Sequence, residues 1–347
     1  MVELTVCIIT YNSAEYLGRL LESIGSSSIK HTSLLIIDNA SEDGTPEIAR
    51  NFPMEKEMVV LDKNEGHSRA ANIAIDRCNT RFLVLLDHDT VLDEKMLEVL
   101  HDQALEDRET DFAVFAPRII DKGRNEIYHG GYMHFIGKTI TNRKEISEGE
   151  TGMIGSTAPL IDLEKLPENI RFDEEMFIYW NDADFFYRMR KNGLKIKYVP
   201  EAVVYHFEGT KDYSHRSGAS YSWKRAYYLI RNHKIFLLKT YDLLTLFVFF
   251  PCFILYELYN MLFCVKKGIF LKAYLPAVAY FIKTIPQTLR KRAGCRQNRR
   301  IADIDLIGWY PLDYNPGVVD KGFSEKAVKF LDEVLKWYFR IAKGIFK

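Results

Sequence analysis

The sequence predicts an α/β domain with a mainly parallel sheet, followed by a largely helical C-terminal region. Two observations support this fold class. Four apolar segments of strand length alternate with helical patterns in the first hundred residues, and helical patterns dominate from Trp223 onward. Continuous apolar strands alternating with helices are typical of a parallel sheet, because right-handed crossovers cover both of its faces with helices.

The four strands are predicted from apolar, β-branched runs that each end at a polar turn. The strand over 4–10 stops at Tyr11, and Ser13 is placed to cap a helix whose apolar residues recur at helical spacing. The others cover 34–37, 58–61 and 81–86, and the third is followed by a glycine turn and a helix over 67–78. The carboxyl ends of parallel strands lie at one edge of the sheet, where ligands bind. We therefore expect the polar residues at these ends to meet in one crevice.

The following residues, to about Ser222, have a mixed pattern. They predict a strand over 114–120, an irregular hairpin over 127–135, a helix starting at 181–184, and strands over 196–199 and 202–206. The segment 209–220 contains two glycines and three serines, which is typical of a mobile loop.

This pattern predicts two domains. The first covers 1–222 and is divided into halves at 1–100 and 101–222. The second is a helical region over 223–347, associated with a membrane or used for oligomerisation.

The composition is that of a large folded protein. The 347 residues are 47% hydrophobic and 27% charged, which excludes a disordered chain, a collagen-like chain and a small disulfide-stapled domain. Five cysteines without Cys-x-x-Cys spacing favour a reducing compartment and argue against structural zinc. The first residues contain no basic segment, so we expect no secretory signal.

The net charge of zero hides an uneven distribution. Residues 258–302 contain ten Lys and Arg and no Asp or Glu, directly after the apolar run 243–256. Apolar residues beside clustered cations suit an anionic membrane surface. A nucleic-acid patch is the alternative for the charge alone, but the adjacent aliphatic run favours lipid, and we expect no nucleic-acid partner.

The same run is unsuited to crossing the bilayer. The window 243–265 contains Pro251, Glu257 and Asn260, whereas a spanning helix needs about 20 predominantly apolar residues. We therefore expect interfacial or re-entrant helices, with a spanning helix as the less favoured alternative. A helical hairpin buried in a soluble domain is the other alternative.

The clearest chemistry follows the fourth strand, at Asp87 and Asp89. Two carboxylates at a strand end can hold a hard divalent cation and leave positions open for diphosphate oxygens. The alternative is an acidic loop that caps the next helix. His206 also ends an apolar strand, and on spacing alone a lone histidine there is more often structural than a metal ligand.

The other strand ends supply groups that suit a nucleotide. Asp38 could accept a hydrogen bond from a nucleobase or a ribose, or could end its strand as an Asx-turn. Tyr11 could stack on a base, or pack half-buried. Asn64, Gly66 and Asn72 could provide backbone N–H donors and an amide, although Gly66 could instead serve chain geometry.

Asp182 and Asp184 lie where the predicted helix begins. A carboxylate near a helix N-terminus has its anionic form stabilised, so Asp182 could accept a proton as a general base. For Asp184 we favour a structural role in bracing the turn through backbone N–H groups.

The motifs of this chain, in the order in which they occur, resemble those of the family 2 inverting glycosyltransferases of GT-A fold. The resemblance is greatest to the rhamnosyltransferase-type branch of that family. The resemblance covers about residues 3–210. Its motifs are the segments 6–12, 38–41, 64–72, 86–89, 172–177, 180–184, 198–202 and 205–206.

The resemblance implies that residues 1–222 are a catalytic domain of Rossmann-like GT-A fold, with a nucleotide-binding half at 1–100 and an acceptor half at 101–222. It also implies specific roles for the residues singled out above. Asp182 would be the catalytic base, and Asp89 and His206 would bind Mg²⁺ or Mn²⁺. Asn181 stands where the family often has an acid, so a second acidic contact to the acceptor is not expected. The loop with Lys211 and Arg216 could close over the diphosphate, or could be an unstructured connector. The nucleotide-binding residues would be Thr10, Tyr11, Asn12, Asp38, Asn64, Gly66, Asn72 and Asp87.

The function implied is transfer of a hexosyl or deoxyhexosyl group, with inversion, from a nucleotide sugar to a hydroxyl of a lipid-linked glycan. The process would be polysaccharide, O-antigen or cell-wall assembly, at the inner face of the cell membrane, with a homodimer left open. A catalytically silent glycan-binding or scaffold subunit is the alternative. The presence of Asp87, Asp89, Asp182 and His206 together argues against it. A nucleotidyltransferase is disfavoured because no basic glycine-rich loop follows the first strand.

Overall fold

The chain forms two compact units in a computed structural model that describes residues 4–29, 33–122, 125–155, 157–207, 222–312 and 323–346. Unit 1 comprises Met1–Gly130, Asn142–Met189 and Leu194–Gly218, and unit 2 comprises Gly131–Thr141, Arg190–Gly193 and Ala219–Lys347. The change of unit at 218/219 lies close to the predicted boundary at 222. Two short segments of the predicted catalytic domain nevertheless lie in unit 2.

The strands of the described residues are β1 (Leu4–Thr10), β2 (Ser33–Asp38), β3 (Glu57–Val60), β4 (Phe82–Asp87), β5 (Thr90–Leu92), β6 (Phe112–Asp121), β7 (Glu126–Tyr128), β8 (Gly131–His134), β9 (Thr139–Thr141), β10 (Gly149–Thr151), β11 (Leu160–Asp162), β12 (Lys195–His206) and β13 (Ile307–Gly308). The helices are α1 (Leu17–Gly25), α2 (Thr45–Asn51), α3 (Gly66–Arg77), α4 (Met96–Glu106), α5 (Asn181–Lys191), α6 (Trp223–Thr240), α7 (Leu243–Val248), α8 (Phe250–Lys266), α9 (Leu275–Cys295), α10 (Asp303–Leu306) and α11 (Phe323–Ala342).

Unit 1 is built on a sheet with strand order β10-β12-β6-β11-β4-β1-β2-β3, to which β5 adds beside β12 and β7 beside β6. The pairs β1–β2, β1–β4, β2–β3 and β6–β12 are parallel. The predicted GT-A-like α/β fold with a mainly parallel central sheet and a helical C-terminal region is therefore confirmed. The sheet also has antiparallel members, since β11 lies between β4 and β6 and is antiparallel to both.

The apolar runs form the strands because both faces of the central strands are covered. All seven residues of β1 are buried, as are the first five of β4. Helix α1 packs its apolar face on this sheet, but it begins at Leu17 rather than beside Ser13. The Ser13 hydroxyl instead accepts a hydrogen bond from the Tyr11 N–H at 3.0 Å, so it shapes the turn that follows β1.

Two predicted strand arrangements are wrong. The segment 127–135 does not form a hairpin, because β7 pairs with β6 in unit 1 whereas β8 pairs with β9 in unit 2. The two strands predicted at 196–199 and 202–206 are one strand, β12, with a register shift against β6 between Val199 and Val203. A bulge re-aims a strand without ending it, which explains why the interruption resembled a break.

Unit 2 combines a small sheet of order β13-β8-β9 with helices α6 to α11. Buried small and aromatic residues, including Ala226, Cys264 and Ala273, form the core between α6, α8 and α9. The buried ammonium of Lys191 pairs with Asp303 at 2.8 Å and with Asp242 at 2.9 Å. Within the residues that the structure describes, no helix combines the length and the apolar content that crossing a bilayer requires.

Candidate active site

The backbone of unit 1 brings Asp89 and His206 together although 117 positions separate them in the chain. Strand β5 pairs antiparallel with the end of β12, so that His206 lies opposite Thr90. The Phe207 N–H donates to the Asp89 carbonyl at 2.9 Å and extends this pairing. The two side chains then meet with His206 Nε2 3.1 Å from Asp89 Oδ1. Both are buried.

Asp87 completes a cluster with this pair. One ligand atom from each of Asp87, Asp89 and His206 lies within 4.8 Å of the other two. Asp87 is at the end of β4, where its N–H donates to the Thr157 carbonyl at 3.0 Å. Two carboxylates and one imidazole, two of them buried, form a donor set that fits a hard divalent cation. The sequence analysis proposed Asp87 and Asp89 as a cation site from their position, the resemblance added His206, and the structure places all three together.

Asp38 lies inside unit 1 as the centre of a turn. Its carboxylate accepts hydrogen bonds from Thr10 Oγ1 at 2.7 Å, from the Ser41 hydroxyl at 2.6 Å and from the Ser41 N–H at 2.9 Å. This is the strand-ending role that the sequence left open. Contact of Asp38 or Thr10 with a nucleotide stays a prediction, and both residues are fully buried here.

Tyr11 and Asn12 lie nearer the surface of the same turn. Asn12 has a φ of +49°, and its side-chain oxygen accepts a hydrogen bond from the Glu42 N–H at 2.9 Å. Asn and Asp tolerate this left-handed conformation because their side chains bond locally. Tyr11 is half-buried, which leaves its predicted stacking on a base as a prediction.

The residues Asn64 to Asn72 hold the segment that leads into α5. The Asn72 side-chain oxygen accepts from the Phe172 N–H at 2.9 Å, and its nitrogen donates to the Phe172 carbonyl at 3.0 Å. The Ser68 N–H donates to the Phe177 carbonyl at 3.2 Å. Asn64 accepts from the Gly66 N–H at 2.9 Å and so shapes the turn before α3. The amide of Asn72 is thus used to position protein backbone.

The segment just before α5 has an unusual backbone. Phe177, Tyr179 and Trp180 all have φ values between +60° and +63°, just before α5 begins. Each such residue costs about 1–3 kcal/mol, and such strain persists where the surroundings impose it. Gly66 is part of those surroundings, because a β-carbon on it would lie 2.5 Å from Phe177 Cδ2 and 2.7 Å from the Phe177 carbonyl oxygen.

Replacing Gly66 by Ala should therefore lower the free energy of unfolding of unit 1 by about 1–3 kcal/mol. The added methyl group meets Phe177, and the φ of +86° at this position is strained for any residue with a β-carbon. Urea denaturation followed by circular dichroism measures the change. Gly18→Ala is the matched control, since its β-carbon would have no atom within 4 Å. Equal stability of the two variants would contradict this role of Gly66.

Asp182 lies in the first turn of α5, directly after the strained segment. Its Oδ1 is 2.7 Å from the Ala183 N–H, and the residue is partly exposed. Asp184 is fully buried, and its Oδ2 accepts from Arg188 Nε at 2.9 Å and Nη2 at 2.7 Å. Arg188 Nη2 also donates to the Arg171 carbonyl. Asp184 therefore braces the start of α5, as expected, but through an arginine.

His67 is a site residue that the sequence did not single out. Its Nδ1 is 3.0 Å from the Asn181 amide nitrogen, and its Nε2 is 3.7 Å from Asp87 Oδ1. Burial, and to a smaller extent the neighbouring His88, lowers the pKa of His67 to about 4, so the ring is neutral at pH 7. Because the amide nitrogen of Asn181 donates this hydrogen bond, Nδ1 of the neutral His67 ring accepts it. Nε2 of His67 therefore carries the ring proton and faces Asp87. His67 thus lies between the cluster and the start of α5. Lys211 and Arg216 lie outside the described residues.

Unit 1 therefore combines a GT-A-like fold with a carboxylate–histidine cluster at the carboxyl ends of its strands. Residues 5–161 match the family model described as Glycosyl transferase family 2. The matched segment includes Asp38, Asp87 and Asp89 and ends before Asp182 and His206. This match supports a glycosyltransferase of family 2.

Curated glycosyltransferases and a teichoic acid polymerase match parts of the chain. The uncharacterized glycosyltransferase YwdF of Bacillus subtilis is 25% identical over 66% of this chain and 82% of its own length. A GalNAc(5)-diNAcBac-PP-undecaprenol beta-1,3-glucosyltransferase of Campylobacter jejuni is 25% identical over 55% of this chain and 60% of its own. A teichoic acid poly(glycerol phosphate) polymerase of Staphylococcus epidermidis is 31% identical over 26% of this chain.

Several of these relatives are much longer than the aligned region. The chain spans 13% of the Staphylococcus polymerase, and 31% and 33% of two other curated glycosyltransferases. Among solved structures, that of GalNAc-T7 with UDP, GalNAc and Mn²⁺ has a TM-score of 0.57 at 15% identity, over 72% of this chain and 50% of the other. At this identity the likeness concerns the fold alone.

Proposed function

We propose that the protein is an inverting glycosyltransferase that moves a sugar from a nucleotide-sugar donor to a hydroxyl of a glycan acceptor. The observation that carries this proposal is the cluster of Asp87, Asp89 and His206 in the unit that also presents Asp182. The family match over residues 5–161 supports it independently. The proposed process is the assembly of a cell-surface glycan.

Asp89 and His206, with Asp87 beside them, are the residues that would hold Mg²⁺ or Mn²⁺. A bound cation would supply positive charge that offsets the negative charge developing on the diphosphate leaving group. The donor set fits this role, and the GalNAc-T7 structure contains Mn²⁺ with UDP. Asp87 would also contact the ribose and diphosphate. Thr10, Tyr11 and Asn12 would border the base, and Lys211 and Arg216 would reach the diphosphate.

Asp182 is the proposed general base. At the first turn of α5 its anionic form is stabilised by the helix N-terminus. It would take the proton of the acceptor hydroxyl as that oxygen bonds to the anomeric carbon. The bond from this carbon to the diphosphate oxygen breaks on the opposite face, so one displacement inverts the configuration. His67 and Asn181 would hold the start of α5 at a fixed position relative to Asp87.

The proposed acceptor is a lipid-linked glycan, reached from the inner face of the cell membrane by peripheral attachment. The name of the Campylobacter relative, which includes PP-undecaprenol, supports a lipid-linked acceptor. The donor would carry a hexosyl or deoxyhexosyl group. Membership of the rhamnosyltransferase-type branch stays a prediction, since the named relatives include a glucosyltransferase.

Not all cations of residues 258–302 are suited to contact lipid. Arg292 is buried and donates to the Leu238 carbonyl, and Arg299 pairs with Asp242. The exposed cations lie at the end of α8 and along α9 and its flanks: Lys266, Lys272, Lys283, Arg290, Arg296 and Arg300.

The proposed function is tested by incubating the purified chain with a panel of UDP, dTDP and GDP sugars, with and without Mn²⁺ or Mg²⁺. We expect slow release of nucleoside diphosphate from one donor, dependent on the cation, because water can replace the acceptor at a low rate. Loss of that release in Asp182→Asn is the internal control. Donor binding without hydrolysis or transfer under any condition would favour the silent glycan-binding alternative.

A further inference from the structure

Unit 2 has an apolar stripe along its outer surface on α7 and α8. Those on α8 recur in steps of three and four positions, which places them on one face of that helix, and Phe247 precedes them on α7. Each is between 45% and 81% exposed, although large apolar side chains are usually buried. We name this set the α8 stripe: Phe247, Phe250, Ile254, Leu258, Leu262 and Val265.

A second stripe continues from the π-helical turn at Phe270–Tyr274 into α9. It consists of Leu271, Leu275, Ile282 and Leu289, each between 45% and 74% exposed. The opposite face of α9 is buried, including Ala277 and Thr288. We name this set the α9 stripe. These two faces are exposed in the chain, whereas a helical hairpin buried in a soluble domain, the predicted alternative, would cover them.

Helix α11 is apolar on two sides. Leu331, Leu335 and Ala342 are buried. Helix α11 contacts the start of α8 through the Phe339 and Phe249 rings, whose centroids are 5.8 Å apart. The other side of this C-terminal segment exposes Phe330, Trp337, Ile341 and Ile345 at 60–70%. These four residues form the α11 stripe.

Charge identifies the occupant of these stripes. Residues 258–302 have no acidic side chain, and Lys272, Lys283 and Arg290 are exposed beside the α9 stripe. Pairing this surface with a second copy of itself would bring like charges together, which disfavours a dimer here. An anionic lipid surface offers both an apolar layer and opposite charge.

We propose that the α8, α9 and α11 stripes insert into the interfacial layer of an anionic bilayer, and that apolar insertion, with charge as the secondary contribution, holds unit 2 there. This deepens the membrane attachment of the proposed function. Helices of this kind lie in the plane of the interface, about 5–10 Å deep, so no spanning segment is needed. Large apolar patches on a surface otherwise lead to association or aggregation.

The test is flotation of the full chain with vesicles of phosphatidylcholine alone or mixed with phosphatidylglycerol, at about 0.1 M and about 1 M NaCl, where the Debye length falls from about 10 Å to about 3 Å. The wild-type chain should float with the anionic vesicles at both salt concentrations. Replacing Phe247, Leu258 and Leu262 together by Ser should reduce the bound fraction at least about tenfold, given the apolar area that each residue would lose from the lipid. Replacing Lys272, Lys283, Arg290 and Arg296 by Gln should weaken binding mainly at low salt.

The control variant is Leu105→Ser with Ile127→Ser, which makes the same chemical change at exposed residues of unit 1. It should float like the wild type. Donor hydrolysis in solution should be unchanged in all three variants, so loss of flotation is separable from loss of the proposed activity. If the triple Ser variant binds anionic vesicles as strongly as the wild type does, the proposal is overturned. It is also overturned by a wild-type chain that stays unbound but forms a dimer, by light scattering, that the triple Ser variant cannot form.

Discussion

Replacing Asp182 by Asn should lower the rate of sugar transfer by about 10²–10⁴-fold, the usual contribution of a general base, while donor affinity stays near the wild-type value. The amide keeps the shape of the carboxylate and loses its proton affinity. Asp182 is partly exposed in the first turn of α5, whereas Asp184 is buried. Transfer rates at saturating donor, together with calorimetric titration of the nucleoside diphosphate, separate chemistry from binding.

Asp184→Asn is the matched control, two positions away on the same helix. It weakens the pair with Arg188, which also holds the Arg171 carbonyl. Its main expected effect is therefore a lower free energy of unfolding, with a smaller decrease in transfer. Transfer by Asp182→Asn within a few-fold of wild type would rule out Asp182 as the base.

Replacing Asp89 or His206 by Ala should abolish the part of donor binding that depends on a divalent cation. Changes in the groups around metal ligands alone cost about 10–100-fold in metal affinity, so loss of a ligand should cost at least as much. The two side chains approach to 3.1 Å and belong to the same cluster, so each variant should have the same effect. Calorimetry with a nucleoside diphosphate, in Mn²⁺ and in EDTA, measures it.

His129→Ala is the control for loss of a buried histidine in unit 1. His129 is buried and lies 2.7 Å from the Tyr198 hydroxyl, away from the cluster. We expect this variant to lose stability but to keep cation-dependent binding. If His206→Ala keeps the wild-type affinity in Mn²⁺, His206 returns to a structural role at the end of β12.

The sequence alone was sufficient to predict the elements that have a local residue pattern. The apolar runs that end at Thr10, Asp38 and Asp87 predicted three central strands and the edge at which their polar residues gather. The proximity of Asp89 and His206 was beyond spacing arguments, because it depends on the pairing of β5 with β12. The resemblance to known motifs supplied His206 instead.

Other features had no periodic signal. Strand β11 has three residues, too few to reveal alternation, and it pairs antiparallel inside an otherwise parallel region. His67 follows a glycine turn and acquires its role from Asn181, 114 positions later in the chain. From the sequence, Asn72 could equally have been an amide in a ligand pocket. Only the structure shows that its side chain forms hydrogen bonds with the backbone of Phe172.

The insertion of β11 between β4 and β6 has a consequence for the order in which the protein is made. After β4 leaves the ribosome, one edge of this apolar strand has no neighbour until residues 160–162 are synthesised, which takes about 4–15 s at about 5–20 residues per second. An exposed apolar edge is a template for pairing with another chain. We therefore expect fragments that end between β4 and β11 to aggregate, and nascent chains of that length to be clients of ribosome-associated chaperones.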